Sequence, residues 1–265
     1  MKPERLARRW QRRHQKLLSA LRRLHRLCRR RGDAEQVHEL RVTLRRLRLS
    51  VRLGKALFDA AQLGQLRAWA GRISRATSPV RDLDIAVEWL VASKAGPALV
   101  AECQTLRDRL WRRRQRQLLA IPGQVLGRLA HPAQGGTKAA ARALARRFCK
   151  LQERYRDHVR QQLPRFFQLG EEDRHDFRRT VRWWRYLREL AVSRKKLPKD
   201  PVCRRLLPAQ EALGELQNLA LVQAILRRLT PSPERDELRA LLARQQQAQL
   251  YAARQALKAL KAVLH

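Results

Sequence analysis

The chemistry this chain can offer lies in two rows of cationic side chains. In Val37-His38-Glu39-Leu40-Arg41-Val42-Thr43-Leu44-Arg45-Arg46-Leu47-Arg48-Leu49-Ser50-Val51-Arg52, the residues His38, Arg41, Arg45, Arg48 and Arg52 are three or four apart. At about 100° per residue on a helix they fall within one narrow arc. The same H-x-x-R-x-x-x-R-x-x-R spacing returns at His175, Arg178, Arg182 and Arg185. Arg46 and Arg179 stand beside the two rows. A helical rise sets successive members about 5–6 Å apart, a ladder of donors for an extended anion. At that distance neighbouring cations repel by up to roughly 3 kcal/mol at an effective dielectric of 20, and less in salt. A solvated helix face would intersperse Glu to relieve this, yet from Leu40 to Phe58 there is no acid. Phosphate binding therefore outweighs a plain solvated face.

Other chemistries find less support. As metal ligands, His38 and His175 need further partners, and no H-x-x-x-H or H-E-x-x-H spacing exists. The sequence predicts no metal and no cofactor. A phosphohistidine would need a general base or a magnesium site, and nothing nearby resembles one. Phosphoryl transfer needs carboxylates to hold bridging metal ions. Asp82 and Asp84 are the acids to consider, and a dipole match near a helix start, or orientation of Arg81 or another row arginine, is the better reading. No catalytic residue is assigned, and the chain is expected not to be an enzyme.

Composition agrees with a polyanion partner. The 265 residues carry 60 Lys and Arg against 23 Asp and Glu, a net charge of +37. That excess speaks to partner rather than fold, and most of the cations are Arg, whose planar fork suits phosphate oxygens. A hydrophobic fraction of 44% is globular. Four distant cysteines without C-x-x-C predict reduced, buried thiols in a cytosolic protein. Uncharged runs are too short for a membrane span, and no signal-peptide pattern follows the basic N-terminus.

The elements that must position the rows are helices, since Leu, Ala, Arg and Gln abound while Gly, Pro and β-branched residues are few. The first is expected over 4–31, ended by Gly32-Asp33, with Asp33 capping the next. The first striped helix runs from about 35 to 58, with Leu40, Leu44, Leu47 and Val51 as its core face. A third starts near Asp59, its pattern passing through Trp69. Thr77-Ser78-Pro79 predicts a kink or restart there. A fourth opens at Pro97 and ends by Pro122-Gly123. After a linker around His131-Pro132-Ala133-Gln134-Gly135-Gly136 the order repeats. A basic helix spans about 137–168, with Arg142, Arg146 and Lys150 at the positions of Arg5, Arg9 and Arg13. The second striped helix covers about 171–194, and two more cover about 202–229 and 232–263. Trp69, Trp89 and Trp184 are expected in the core. The fold class is all-α: two four-helix bundles related by internal duplication (1–130 and 138–265, joined by 131–137), with a basic cleft between them.

These residues resemble the signature of the CHAD domain, a family named for histidines in an α-helical domain. The resemblance rests on His38-Glu39-Leu40-Arg41-Val42 with Arg45-Arg46-Leu47-Arg48, on Val80-Arg81-Asp82-Leu83-Asp84, and on His175 and Arg178 with Arg182 and Arg185-Tyr186. It covers nearly the whole chain. It implies two facing four-helix bundles, a basic channel that binds inorganic polyphosphate, with phosphate or sulfate as mimics, and a cytoplasmic location at polyphosphate granules. The second half departs from the first by having Gln217-Asn218-Leu219-Ala220 in place of Arg81-Asp82-Leu83-Asp84. Arg9, Arg13, Arg146 and Lys150 are expected to extend the groove from the first helix of each half. Nucleic acid is the alternative partner, since basic patches with interleaved aromatics stack bases. No membrane partner is expected.

Overall fold

A computed structural model describes residues 2–119, 125–129 and 137–264. Among them the chain is all-α. Its long helices are α1 (Pro3–Arg30), α2 (Ala34–Leu53), α3 (Ala60–Ala92) and α4 (Pro97–Leu119). After a single-turn helix α5 (Val125–Arg128) come α6 (Lys138–Gln162), α7 (Glu171–Ala191), α8 (Pro201–Leu226) and α9 (Pro233–Leu260). The expected linker at 131–136 and the helix end at Pro122-Gly123 lie outside the described residues.

Local chemistry sets most of the boundaries. Gly32 sits at φ +65 between α1 and α2, where a side chain would be strained. Asp33 accepts from Gln36 N at 2.8 Å and caps α2. Asp59 and Gln62 form a reciprocal capping box on α3. Thr137, Asp200 and Ser232 cap α6, α8 and α9 in the same way. The two striped helices are shorter than expected, each followed by a 3-10 turn, at Lys55–Leu57 and Arg194–Lys199. A 3-10 turn at Leu163–Gln168 likewise ends α6 early.

Pro79 does not restart a helix. It lies inside α3, which runs through it from Ala60 to Ala92. The proline removes one backbone donor. Just before it, the Thr77 hydroxyl donates to the Ile73 carbonyl and the Ser78 hydroxyl to that of Ser74, at 2.8 and 2.7 Å. Thr77 and Ser78 thus serve as mid-helix back-bonding residues, not as caps.

Leu40, Leu44, Leu47 and Val51 are all buried, so the core face of α2 is as its spacing predicts. They join a large core with α1, α6, α7 and the first halves of α3 and α8. A second core gathers the C-terminal halves of α3 and α8 with α4 and α9. Each core draws on residues from both before and after position 131. Trp69 and Trp184 are fully buried. Trp89 is only partly so, its indole N–H donating to Gln245 at 2.8 Å. Cys28, Cys103 and Cys203 are buried free thiols, whereas Cys149 is exposed, contrary to the expectation for all four.

Candidate anion-binding site

Packing α2 on α1 and α3, and α7 on α6 and α8, leaves the cationic arcs of the two striped helices within reach of each other. Arg41 and Arg45 from α2 share one electrostatic field with Arg178 and Arg182 from α7. Burial, then Arg45, Arg178 and Arg41, push the Arg182 guanidinium down to about 9. Burial and Arg45 push Arg41 down to about 10. Arg45 is lowered by burial and by Arg46 and Arg81, and Arg178 by burial and Arg45. Arg48 is lowered by burial and then by Arg179 and Arg67. Among the described residues no carboxylate lies within ion-pair distance of Arg41, Arg45, Arg48, Arg178 or Arg182. The Nε atoms of Arg45 and Arg178 are buried and have no hydrogen-bond partner there.

Neutral acceptors hold one of these arginines in place. Arg41 Nη1 donates to Thr77 Oγ1 at 3.2 Å and Ser78 Oγ at 2.7 Å. The proline turn of α3 therefore orients a row guanidinium without cancelling its charge.

Other members of the rows are compensated, which the absence of acids on α2 did not reveal. Glu189 of α7 takes Arg46 at 3.3 Å and Arg185 at 3.5 Å, and both guanidinium groups lie 5.1 Å from the Tyr186 ring centre. Arg179 pairs with Asp176 at 2.7 Å. Arg52 lies over the rings of Tyr155 and Trp183. The two histidines stand at the N-terminal ends of the rows, His38 half-buried and His175 exposed. Burial lowers both, aided by Arg81 at His38 and by Arg178, Arg179 and Arg182 at His175.

The four cations expected from α1 and α6 do other things. Arg9 and Arg13 donate to the carbonyls of Ala191 and Val192, at the C-terminal end of α7 where the helix dipole favours positive charge. Arg146 and Lys150 border a cavity of about 600 Å³ floored by Leu53, Phe58 and Leu144. On α6 it is Arg147 and Arg154, two turns apart, that share a cavity with Arg48. Their i, i+7 spacing was a signal available in the sequence.

Asp82 and Asp84 lie mid-helix, because α3 is continuous, so the dipole reading fails for both. Asp84 is buried and accepts from Arg107 Nε at 2.8 Å, while Arg107 Nη2 donates to the Gly32 carbonyl at 2.9 Å. Burial raises the Asp84 carboxyl and Arg107 opposes it. This pair ties α3 and α4 to the α1–α2 turn and orients no row arginine. Asp82, half-buried, is raised by burial and lowered by the nearby charges of Arg41 and Arg81. Arg81 itself pairs with Glu88 at 2.7 Å. Among the described residues no three His, Cys, Asp or Glu side chains gather as a metal site. No helix there is long and apolar enough to cross a membrane.

The model of the CHAD domain matches residues 12–227. Two solved structures resemble the whole chain. The crystal structure of the CHAD domain from the plant Ricinus communis superposes with a TM-score of 0.63 at 19% identity, covering 98% of this chain and 91% of that one. PptA from Streptomyces chartreusis gives 0.58 at 20% identity, covering 97% and 99%. Comparison with curated protein sequences finds no match.

Proposed function

The chain belongs to the CHAD-domain family, and we propose that within it this protein is a non-catalytic binder of inorganic polyphosphate, acting at polyphosphate granules. One observation carries the reading. Arg41, Arg45, Arg178 and Arg182, contributed by two helices far apart in sequence, share a field in which no carboxylate among the described residues stands within ion-pair distance of any of them, and only Arg41 is partly relieved, from further off, by Asp82 and Asp84. Such an arrangement is unfavourable unless an anion joins it. A polyphosphate carries a charge on every unit and is thin and flexible, so it can touch both helices at once. A rigid duplex needs an open face. The two halves act as copies of one unit, and the basic surface between them is the channel.

We read no catalytic role into the acids: Asp84 is committed to Arg107, Asp82 faces Arg41 and Arg81, and no acid cluster gathers a metal site among the described residues. Binding draws mainly on counterion release and therefore weakens steeply with salt. The test is competition at physiological salt between long-chain polyphosphate and single-stranded RNA of matched charge. Polyphosphate is expected to resist displacement. Equal displacement by RNA refutes the reading and favours nucleic acid.

A further inference from the structure

The α2 row ends at an open cavity. Its last two members, Arg48 and Arg52, enter the wall of a cavity of about 590 Å³ shared with α3, α6 and α7. Seven Lys and Arg side chains line that cavity against one acid, Asp176, which is already held by Arg179. Among the seven are Arg67 from α3 and Arg154 from α6. So many cations around one open cavity are a denser demand for negative charge than either row presents.

Two further groups in this wall lack partners. Tyr155 is 4% exposed, and its hydroxyl is buried with no hydrogen bond among the described residues. The Nε2 of His158, three residues on, is in the same condition. Buried polar atoms are rarely left so, because each is costly without a partner. Burial raises the Tyr155 hydroxyl above its ordinary value, so it stays a neutral donor. The wall thus gathers cations with an unpartnered O–H, against the single carboxylate of Asp176.

A polyphosphate chain has two kinds of phosphate. Internal units carry one charge each. A terminal unit titrates again near neutral pH, like a phosphate monoester, and holds about −1.5 to −2 with three free oxygens. A row suits the first kind, and a cluster of cations around one cavity suits the second.

We propose that the cavity between α2, α3, α6 and α7 receives the terminal phosphate of a polyphosphate chain, so that the protein holds the chain by its end. This rests on the polyphosphate reading above and adds a site to it. Arg48 and Arg52 join the two, handing the chain from the row into the cavity.

The experiment compares two linear polyphosphates of one length, one with free ends and one with both terminal phosphates converted to alkyl esters, by titration at fixed salt. The wild type is expected to bind the free-ended chain about tenfold more tightly, since the ester removes a charge and an oxygen acceptor. Tyr155→Phe combined with Arg154→Gln should shrink that ratio below about threefold, weakening the free-ended chain more than the capped one. Arg67→Gln, at an exposed position, repeats the test without touching the core. Arg45→Gln should weaken both chains and preserve the ratio. Equal affinity of the wild type for both chains overturns end recognition and leaves the rows intact. An unchanged ratio in the cavity variants overturns this cavity as its location. Failure of both chains to bind refutes the polyphosphate reading itself.

Discussion

Replacing Arg45 and Arg182 together by Gln is expected to stabilise the free protein while weakening its grip on polyphosphate. Both guanidinium groups are largely buried, both are depressed by burial and by other row arginines, and neither has a carboxylate partner among the described residues. Arg182 is held down to about 9, far below the ordinary guanidinium range. Each tenfold change in a protonation equilibrium corresponds to about 1.4 kcal/mol, so keeping it charged at pH 7 costs on the order of a few kcal/mol. Gln keeps much of the aliphatic stem, whose packing would otherwise be lost. After a discount for solvent screening, the double variant should gain about 1–2 kcal/mol in urea unfolding at low salt. The gain should shrink as salt is added. The same change removes two phosphate contacts. The slope of log K against log salt for a single-stranded polyanion should therefore become shallower by about 1.4, at roughly 0.7 per contact. Two exposed arginines of α9, Arg239 and Arg254, serve as the control pair. The decisive pattern is opposite signs, stability rising and affinity falling. A double variant that is less stable than wild type and keeps the original salt slope would mean these arginines are structural, and the reasoning would fail.

Three other outcomes follow from the same geometry. His38 and His175 are lowered below 6.5 in the free protein, so the unfolded chain takes up protons first and their contribution to stability falls as pH drops through 6.5. A bound polyanion raises both, so affinity should increase between pH 8 and pH 6, with net proton uptake on binding in calorimetry across buffers of different ionisation heat. His38→Gln with His175→Gln should reduce that uptake. Gly32→Ala should cost about 3 kcal/mol in urea unfolding, since it combines a left-handed backbone with overpacking. A Cβ there would stand 1.8 Å from the Trp111 ring. Asp84→Ala should cost about 3–5 kcal/mol by stranding Arg107 in the core. Combining it with Arg107→Met should recover at least half of that loss, and no recovery would show that the ion pair is not what fails.

What the sequence revealed and what it concealed divide along a physical line. Periodicity within one helix is a local property, so the α2 core face and the phase of both arginine rows were legible from spacing alone. Capping is local too, and Asp33 was identifiable from its place after Gly32. Partners between helices are not local. Nothing on α2 indicates that Glu189 of α7 neutralises Arg46, whereas the pairing of that same acid with Arg185 is an i, i+4 contact within α7 that spacing alone offers. Proline shows the same limit from the other direction. Thr77-Ser78-Pro79 has the residues of a helix start, but burial of Thr77 and Val80 holds α3 straight through it, as tertiary packing overrides local preference. That override has a functional consequence. Had α3 restarted at Pro79, the Thr77 and Ser78 hydroxyls would have been spent as caps on backbone amides. Inside a continuous helix they bond backward to Ile73 and Ser74, and their oxygens remain open to accept from Arg41. The continuity of α3 thus fixes a row arginine with neutral oxygens, which align the cation without themselves cancelling its charge.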